Sequence, residues 1–129
     1  MKGFLLYDPF LKKAFEAIGA KEETSFDVPK NVQAAAQRAL DWISKDLAGS
    51  GFTDVGRARA SQLARGGPVS KKTIKRMNSY FSRHEPDKKA EGFYSGQEGY
   101  PSPGRVAWDS WGGDAGKSWA RKMVRKWKD

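Results

Sequence analysis

Apolar residues recur at spacings of three and four over most of the chain, which is the period of an amphipathic helix. The clearest stretch, residues 32–47, predicts a long helix with one continuous apolar side, and we expect it to be the central helix of the core. Its apolar positions are Val32, Ala35, Ala36, Ala39, Leu40, Ile43 and Leu47. We find no internal repeat and no convincing strand pattern, so the sequence predicts an all-α fold.

Residues 56–83 predict two helices joined by a tight turn. Gly66 and Gly67 end the first helix, because glycine adopts a left-handed backbone at no steric cost. Pro68 follows at the corner, and Ser70 is placed to cap the second helix with its hydroxyl. The second helix carries its apolar residues on one face: Ile74, Met77 and Phe81.

This hairpin has the pattern of a helix-turn-helix unit, in which the second helix enters the DNA major groove. Basic residues cover the side of the second helix opposite its apolar face, and two more precede the corner. The candidate DNA contacts on the hairpin are therefore Arg57, Arg59, Lys71, Lys72, Lys75, Arg76, Ser79 and Arg83. A charged face is also typical of any solvated helix, so the hairpin alone leaves both interpretations open.

The first 27 residues predict a helical arm followed by a polar linker. Asp8-Pro9 suits a helix start, since proline lacks an N–H that would be unpaired there, and Gly19 ends the helix. The apolar stripe of the arm consists of Phe10, Leu11, Ala14, Phe15 and Ile18. Residues 20–26 are polar and are expected to link the arm to a basic helical domain, residues 28–129.

Two further helices are expected after the hairpin, beyond a loop at residues 87–104. The loop combines turn residues with aromatic residues, and its length indicates either a function or anchoring by the aromatic side chains. Ser102-Pro103 begins a short helix, and Asp114 is placed to cap the last one. The expected architecture is a compact all-α bundle of about five helices, with a helix-turn-helix-like unit and an N-terminal helical arm.

The positive charge of the chain is concentrated in its second part. The net charge at neutral pH is +9 over 129 residues. Residues 1–50 hold seven basic and seven acidic residues, whereas residues 51–129 hold seventeen basic and eight acidic ones. Such an excess favours binding to a polyanion, because each neutralised phosphate releases condensed counterions. It also suits a domain kept soluble by its charge, or one that meets an acidic protein or membrane surface.

Composition excludes several classes of site. The chain has no cysteine, which excludes disulfides and thiolate metal sites and fits a reducing cytosol. Its apolar runs are far shorter than the ~20 residues of a membrane-spanning helix, so no membrane partner is expected.

Two stretches contain residue types that enzymes use. Residues 112–118 include Gly-Lys-Ser, but a phosphate-binding loop needs four residues between its first glycine and that tripeptide, and the spacing here differs. His84, Glu85 and Asp87 carry groups found in metal nucleases, although their order matches no nuclease pattern. We expect His84 and Glu85 to close the second hairpin helix instead. No catalysis, metal ion or cofactor is expected.

Two basic residues outside the hairpin, Arg105 and Lys117, are further candidate phosphate contacts. Lys117 follows a helix start, where free N–H groups bind anions. Four tryptophans could stack on unpaired bases: Trp108, Trp111, Trp119 and Trp127. Of these, Trp119 and Trp127 fit the apolar stripe of the last helix better, so we expect them in the core.

From Val28 onward the chain resembles a small module that recurs in tailed-bacteriophage proteins. The stretches that carry the resemblance are GRARASQLARGG, SKKTIKRMNSYFSRHEPDKK and GYPSPGRVAWDSWGGDAGKSWA. In that family the module occurs alone or fused to prohead proteases and other head proteins. The resemblance implies a phage context and transfers no catalytic residues.

We therefore expect a phage-encoded, non-catalytic protein whose helix-turn-helix-like unit binds duplex DNA. The alternative is a structural or interaction protein of the phage head, such as a scaffold or a genome-contacting accessory; a metal-dependent nuclease ranks third. The N-terminal arm is a candidate contact for a phage or host protein. The expected location is the host cytoplasm or the virion, and the sequence does not indicate an oligomeric state.

Overall fold

The computed structural model describes residues 25–128. Its elements are β1 (Ser25–Phe26), α1 (Lys30–Ser44), α2 (Asp54–Ala64), β2 (Val69–Ser70), α3 (Lys71–His84), a 3₁₀ helix (Glu85–Lys89), α4 (Pro103–Ser110) and α5 (Gly113–Lys128). The all-α prediction is confirmed, because five α-helices dominate these residues and the one sheet has two strands of two residues each. None of these helices is long and apolar enough to cross a bilayer. The arm helix predicted within residues 8–19 lies outside the described residues.

Helix α1 lies at the centre of the bundle, as its apolar pattern predicts. It packs against α2, α4 and α5, and its buried residues are Val32, Ala35, Ala36 and Ala39. The short alanine side chains let neighbouring helices approach closely. The helix ends at Ser44, earlier than predicted, because Asp46 adopts a left-handed backbone with φ of 62°. Leu47, expected on the apolar side of this helix, is exposed.

The predicted hairpin is present, and a side-chain cap fixes the start of each of its helices. The hydroxyl of Thr53 accepts the N–H of Gly56 at 3.2 Å, and the hydroxyl of Ser70 accepts the N–H of Thr73 at 3.1 Å. The two helices pack on different neighbours, α2 mainly on α1 and α3 mainly on α5. This arrangement leaves an open groove between α2 and α3.

Strand β1 corrects the predicted extent of the linker. Ser25 and Phe26 were expected to be part of it, but they pair antiparallel with Ser70 and Val69 of β2. The ring of Phe26 also lies against that of Trp127 on α5, with centroids 5.4 Å apart. The corner of the hairpin leaves backbone groups free to accept a strand, and such long-range pairing does not show in local polarity. The helical domain therefore includes residues 25–27.

The loop before α4 is anchored by its aromatic residues, which is one of the two outcomes expected for it. Phe93 is buried against Trp108, with ring centroids 5.8 Å apart. The side-chain oxygen of Gln97 accepts the N–H groups of Gly92 and Tyr94, so the loop also closes on itself. These contacts hold the loop against α4, and they satisfy backbone groups that no helix or strand pairs.

Candidate nucleic-acid interface

A groove with basic walls lies between α2 and α3, and we call it the basic groove. It has a volume of about 490 Å³ and is lined by Val55, Arg59, Lys72, Lys75, Arg76, Ser79, Arg83 and Trp111. Five of these eight residues are lysine or arginine, and none of them is acidic. A concave surface lined by charge of one sign concentrates the field there and attracts ions of the opposite sign.

Helix α3 presents its basic side to the groove because its other side is buried. Ile74, Met77 and Phe81 lie in the core, as predicted. Phe81 meets Trp108 edge to face, with ring centroids 4.8 Å apart. At 3.6 residues per turn, these contacts direct the basic residues of α3 to the opposite side. Rotating the helix would expose its apolar residues, so the core fixes the orientation of the basic side.

Arg59 is the most constrained cation of the basic groove. Its guanidinium carbon lies 5.1 Å from the ring centroid of Trp111, and its Nη1 donates to Oε1 of Gln62. The Nε atom is buried and has no hydrogen-bond partner within the described residues. Burial, and then the charge of Arg76, lower the pKa of Arg59 from its usual value, although a guanidinium stays charged at neutral pH. The guanidinium of Arg59 is therefore fixed in position by Trp111 and Gln62, and its Nε–H group donates no hydrogen bond within the described residues.

The basic groove brings together six of the ten candidate DNA contacts: Arg59, Lys72, Lys75, Arg76, Ser79 and Arg83. Arg57 and Lys71 lie outside it. Arg57 is exposed and pairs with Asp54 at 3.1 Å, one turn away on the same helix. The ammonium of Lys71 lies 5.0 Å from the ring centroid of Trp127, on the side of α3 that faces α5.

Arg105 is engaged inside the fold, contrary to its expected role as a surface phosphate contact. Its Nη1 donates to the carbonyl of Phe93 at 2.7 Å, and its Nε donates to Oδ1 of Asp109 at 3.3 Å. Asp109 is 1% exposed and also accepts a hydrogen bond from Nε of Arg38 at 2.8 Å. Burial raises the pKa of Asp109, while the two guanidinium groups favour its charged form. Arg105 therefore neutralises a buried carboxylate and ties the loop to α4.

Lys117 is likewise bound within the protein. Its ammonium donates to Oε1 of Glu85 at 2.7 Å, which joins α5 to the 3₁₀ helix. The hydrogen bond from Lys117 holds the pKa of Glu85 below its usual value. Lys117 lies on a different face from the basic groove and shares a cleft with Arg121 and Ser118. The groove and Lys117 thus do not form one site.

The acidic residues weighed as nuclease ligands are used as structural contacts. Asp87 lies 3.2 Å from Nδ1 of His84, which fits the expected role of His84 in closing α3. Asp114 lies in the first turn of α5 rather than at its cap, and it accepts hydrogen bonds from Trp108 and Lys88. Within residues 25–128, no group of three or more histidine, aspartate or glutamate residues is arranged to hold a metal ion.

Two residues of the basic groove, Val55 and Trp111, were not among the predicted contacts. The sequence predicts Trp111 as a stacking candidate, but nothing local in the sequence places it beside α2 and α3. Its position depends on the packing of α4, which ends next to the hairpin. Val55 is an apolar residue in the first turn of α2, and only its 60% exposure in the structure sets it apart from a core residue.

Comparison with protein-family models, curated proteins and solved structures finds no match for this chain.

Proposed function

We propose that this protein binds duplex DNA through the basic groove and catalyses no reaction on it. The observation that carries the proposal is the convergence of five cations on one groove whose lining contains no carboxylate. Surface cations are normally interspersed with acidic residues, and elsewhere in this protein Arg57, Arg105 and Lys117 have acidic partners. Cations without acidic partners on one concave surface suit a phosphate backbone, which releases counterions when it is neutralised.

In the proposed complex, α3 takes the part of a recognition helix. Its N-terminal half carries Lys72, Lys75 and Arg76 on the exposed side, which is where a helix-turn-helix unit meets base edges in the major groove. Arg59 on α2 faces the same groove and would contact a flanking phosphate. Lysine and arginine can donate to O6 and N7 of guanine, so these positions allow sequence readout as well as charge.

The phage context belongs to the same proposal. It is supported by the resemblance of residues 28–129 to the module of tailed-bacteriophage proteins described above. We infer that the DNA is phage or host DNA, encountered in the host cytoplasm or in the virion. The arm in residues 1–27 is proposed to contact a phage or host protein.

The direct test is a titration of a labelled duplex by fluorescence anisotropy over a series of salt concentrations. Binding of five phosphates predicts a slope of about −4.5 in a plot of log affinity against log salt. The Lys72→Gln/Arg76→Gln variant should weaken binding and make the slope shallower by about 2. Binding that is absent at low salt, or that does not depend on salt, would contradict the proposal.

A matched variant separates the basic groove from total charge. Lys126→Gln/Lys128→Gln removes the same charge from exposed positions at the end of α5, away from the groove. We expect it to change duplex affinity far less than the groove variant does. Equal losses of affinity from both variants would mean that the protein binds DNA as a diffuse basic surface.

A competition experiment tests the structural alternative, in which the groove binds an acidic protein. If polyglutamate displaces the duplex at equal charge concentration, that alternative is favoured.

A further inference from the structure

A second cavity adjoins the basic groove, and we call it the aromatic cavity. It has a volume of about 440 Å³, within the range of roughly 300–1,000 Å³ found for small-ligand sites. The residues that matter for its chemistry are Phe52, Tyr80, Arg83, His84, Asp87 and Trp111. Arg83 and Trp111 line both spaces, so the aromatic cavity and the basic groove meet at these two side chains.

The wall of the aromatic cavity contains a stack of three flat rings. The rings of Tyr80 and Trp111 are nearly parallel, with an interplanar angle of 6° and centroids 4.8 Å apart. His84 stacks on Tyr80 with an angle of 26° and a centroid distance of 4.4 Å. The indole of Trp111 lies between Tyr80 and the guanidinium of Arg59, so the accessible aromatic surface of the stack is that of His84, whose side chain is 39% exposed. Flat aromatic surface of this kind suits a planar ligand such as a nucleobase.

Polar groups with spare hydrogen-bonding capacity lie in the same wall. The hydroxyl of Tyr80 is buried, in a residue only 5% exposed, and it has no hydrogen-bond partner within the described residues. A buried hydroxyl without a partner is uncommon in folded proteins. Burial raises the pKa of Tyr80 above its usual value, so the group stays a donor at neutral pH. His84 and Asp87, 3.2 Å apart, add further donor and acceptor atoms.

We propose that the aromatic cavity holds one unpaired nucleobase of a nucleic acid whose phosphates lie in the basic groove. The inference rests on the proposed function, since the groove must first bind the backbone. A base has a flat face for the ring of His84 and polar edges for the His84–Asp87 pair. Arg83 lies where the two spaces meet, and there it contacts the phosphate of the inserted nucleotide. The protein thereby prefers DNA that offers an unpaired base over fully paired DNA.

The test compares three labelled DNA probes of the same sequence. The first is a blunt duplex, the second carries a short 3′ overhang with 2-aminopurine at the first unpaired position, and the third has an abasic site there. We expect the overhang with the base to bind about fivefold or more tightly than the abasic one, since stacking on an aromatic side chain gives about this gain. The fluorescence of 2-aminopurine should decrease on binding, because the base leaves water and stacks.

A blocking variant locates the base. Gly51 lines the aromatic cavity, and a Cβ atom added there meets no atom within 4 Å, so Gly51→Leu extends into open space. Ser50→Leu adds the same side chain at the preceding exposed residue, which does not line the cavity. We expect Gly51→Leu to abolish the preference for the base and Ser50→Leu to preserve it.

The outcomes distinguish this inference from the function on which it rests. If the blunt duplex binds and the base-carrying and abasic overhangs bind equally, the base site is overturned while duplex binding stands. If Gly51→Leu keeps the preference, the base lies elsewhere and the site is overturned as well. If none of the three probes binds, both proposals fail.

Discussion

The ring of Trp111 lies parallel to that of Tyr80, 4.8 Å away between centroids, and joins the end of α4 to the C-terminal half of α3. The guanidinium of Arg59 on α2 lies 5.1 Å from the centroid of the same indole. One side chain therefore contacts both helices that form the basic groove. The width of the groove depends on this tryptophan, because α2 and α3 otherwise pack mainly on different neighbours.

The Trp111→Ala variant should be strongly destabilised. Removing the indole takes away its contacts with Tyr80 and Arg59 and leaves a space that the neighbouring helices cannot fully close. We expect the free energy of unfolding to decrease by about 3 kcal/mol, measured by urea denaturation. Tyr94→Ala removes an aromatic ring that is 46% exposed and should cost less than about 1 kcal/mol. Similar losses from both would show that Trp111 does not join the helices.

The second prediction concerns the buried carboxylate of Asp109. Asp109→Ala leaves Arg38 and Arg105 without their shared acceptor, and Arg105 is only 19% exposed. Breaking a buried ion pair from one side costs about 3–5 kcal/mol, so we expect a loss of that size in the free energy of unfolding. Asp41→Ala, at an exposed position on α1, should change stability by less than about 0.5 kcal/mol. A small effect at Asp109 would mean that the two arginines find other partners.

Asp109 also shows where sequence-based prediction reaches its limit. Arg105 and Asp109 are four residues apart on α4, a spacing that would have indicated a pair on one helix face. Arg38 comes from α1, 71 residues earlier, and its approach depends on how α1 and α4 pack. From the sequence alone, Arg105 is predicted to be a phosphate contact at the surface. Only the packing of the helices shows that Arg105 points inward and pairs with the buried carboxylate of Asp109.

The hairpin, in contrast, was predictable because its determinants are local. The cap at Ser70 and the apolar spacing of Ile74, Met77 and Phe81 set the start and the buried side of α3, and hence its basic side. The same local reasoning does not predict the groove, because Trp111 follows a helix that a long loop separates from the hairpin. Nor could it give β1, because Phe26 is held by Val69 and Trp127, both distant in sequence.

The third prediction concerns the stability of the protein in acid. Since the hydrogen bond from Lys117 lowers the pKa of Glu85 in the folded state, the pair stabilises the fold above the pKa of the unfolded chain. This contribution is lost as the pH falls through the lower, folded-state pKa. Glu85→Gln should therefore make the loss of stability below about pH 4.5 shallower, as followed by thermal unfolding over a pH series.

Two further variants check the assignment to the Glu85–Lys117 pair. Lys117→Met removes the main donor and should flatten the acid dependence in the same direction but less than Glu85→Gln does, because Lys88 also lies 3.6 Å from Glu85 and lowers its pKa. Glu98→Gln, at an exposed position in the loop, should leave the acid dependence as in the wild type. An unchanged profile in both Glu85→Gln and Lys117→Met would show that this contact does not stabilise the fold.

The last prediction asks whether the basic groove binds DNA by charge alone or by placed groups. Arg59→Lys keeps the charge, but a lysine ammonium is a point charge on a flexible stem and cannot present the planar guanidinium that lies over Trp111. Loss of one well-placed, charge-assisted hydrogen bond should weaken duplex binding roughly fivefold to tenfold. The slope against salt should stay the same, because the number of neutralised phosphates does not change.

Lys72→Arg is the control, since Lys72 is exposed and no contact of its ammonium fixes its position within the described residues. Equal affinity in both variants would mean that Arg59 contributes charge without geometry, and α3 would then be the only placed element of the interface.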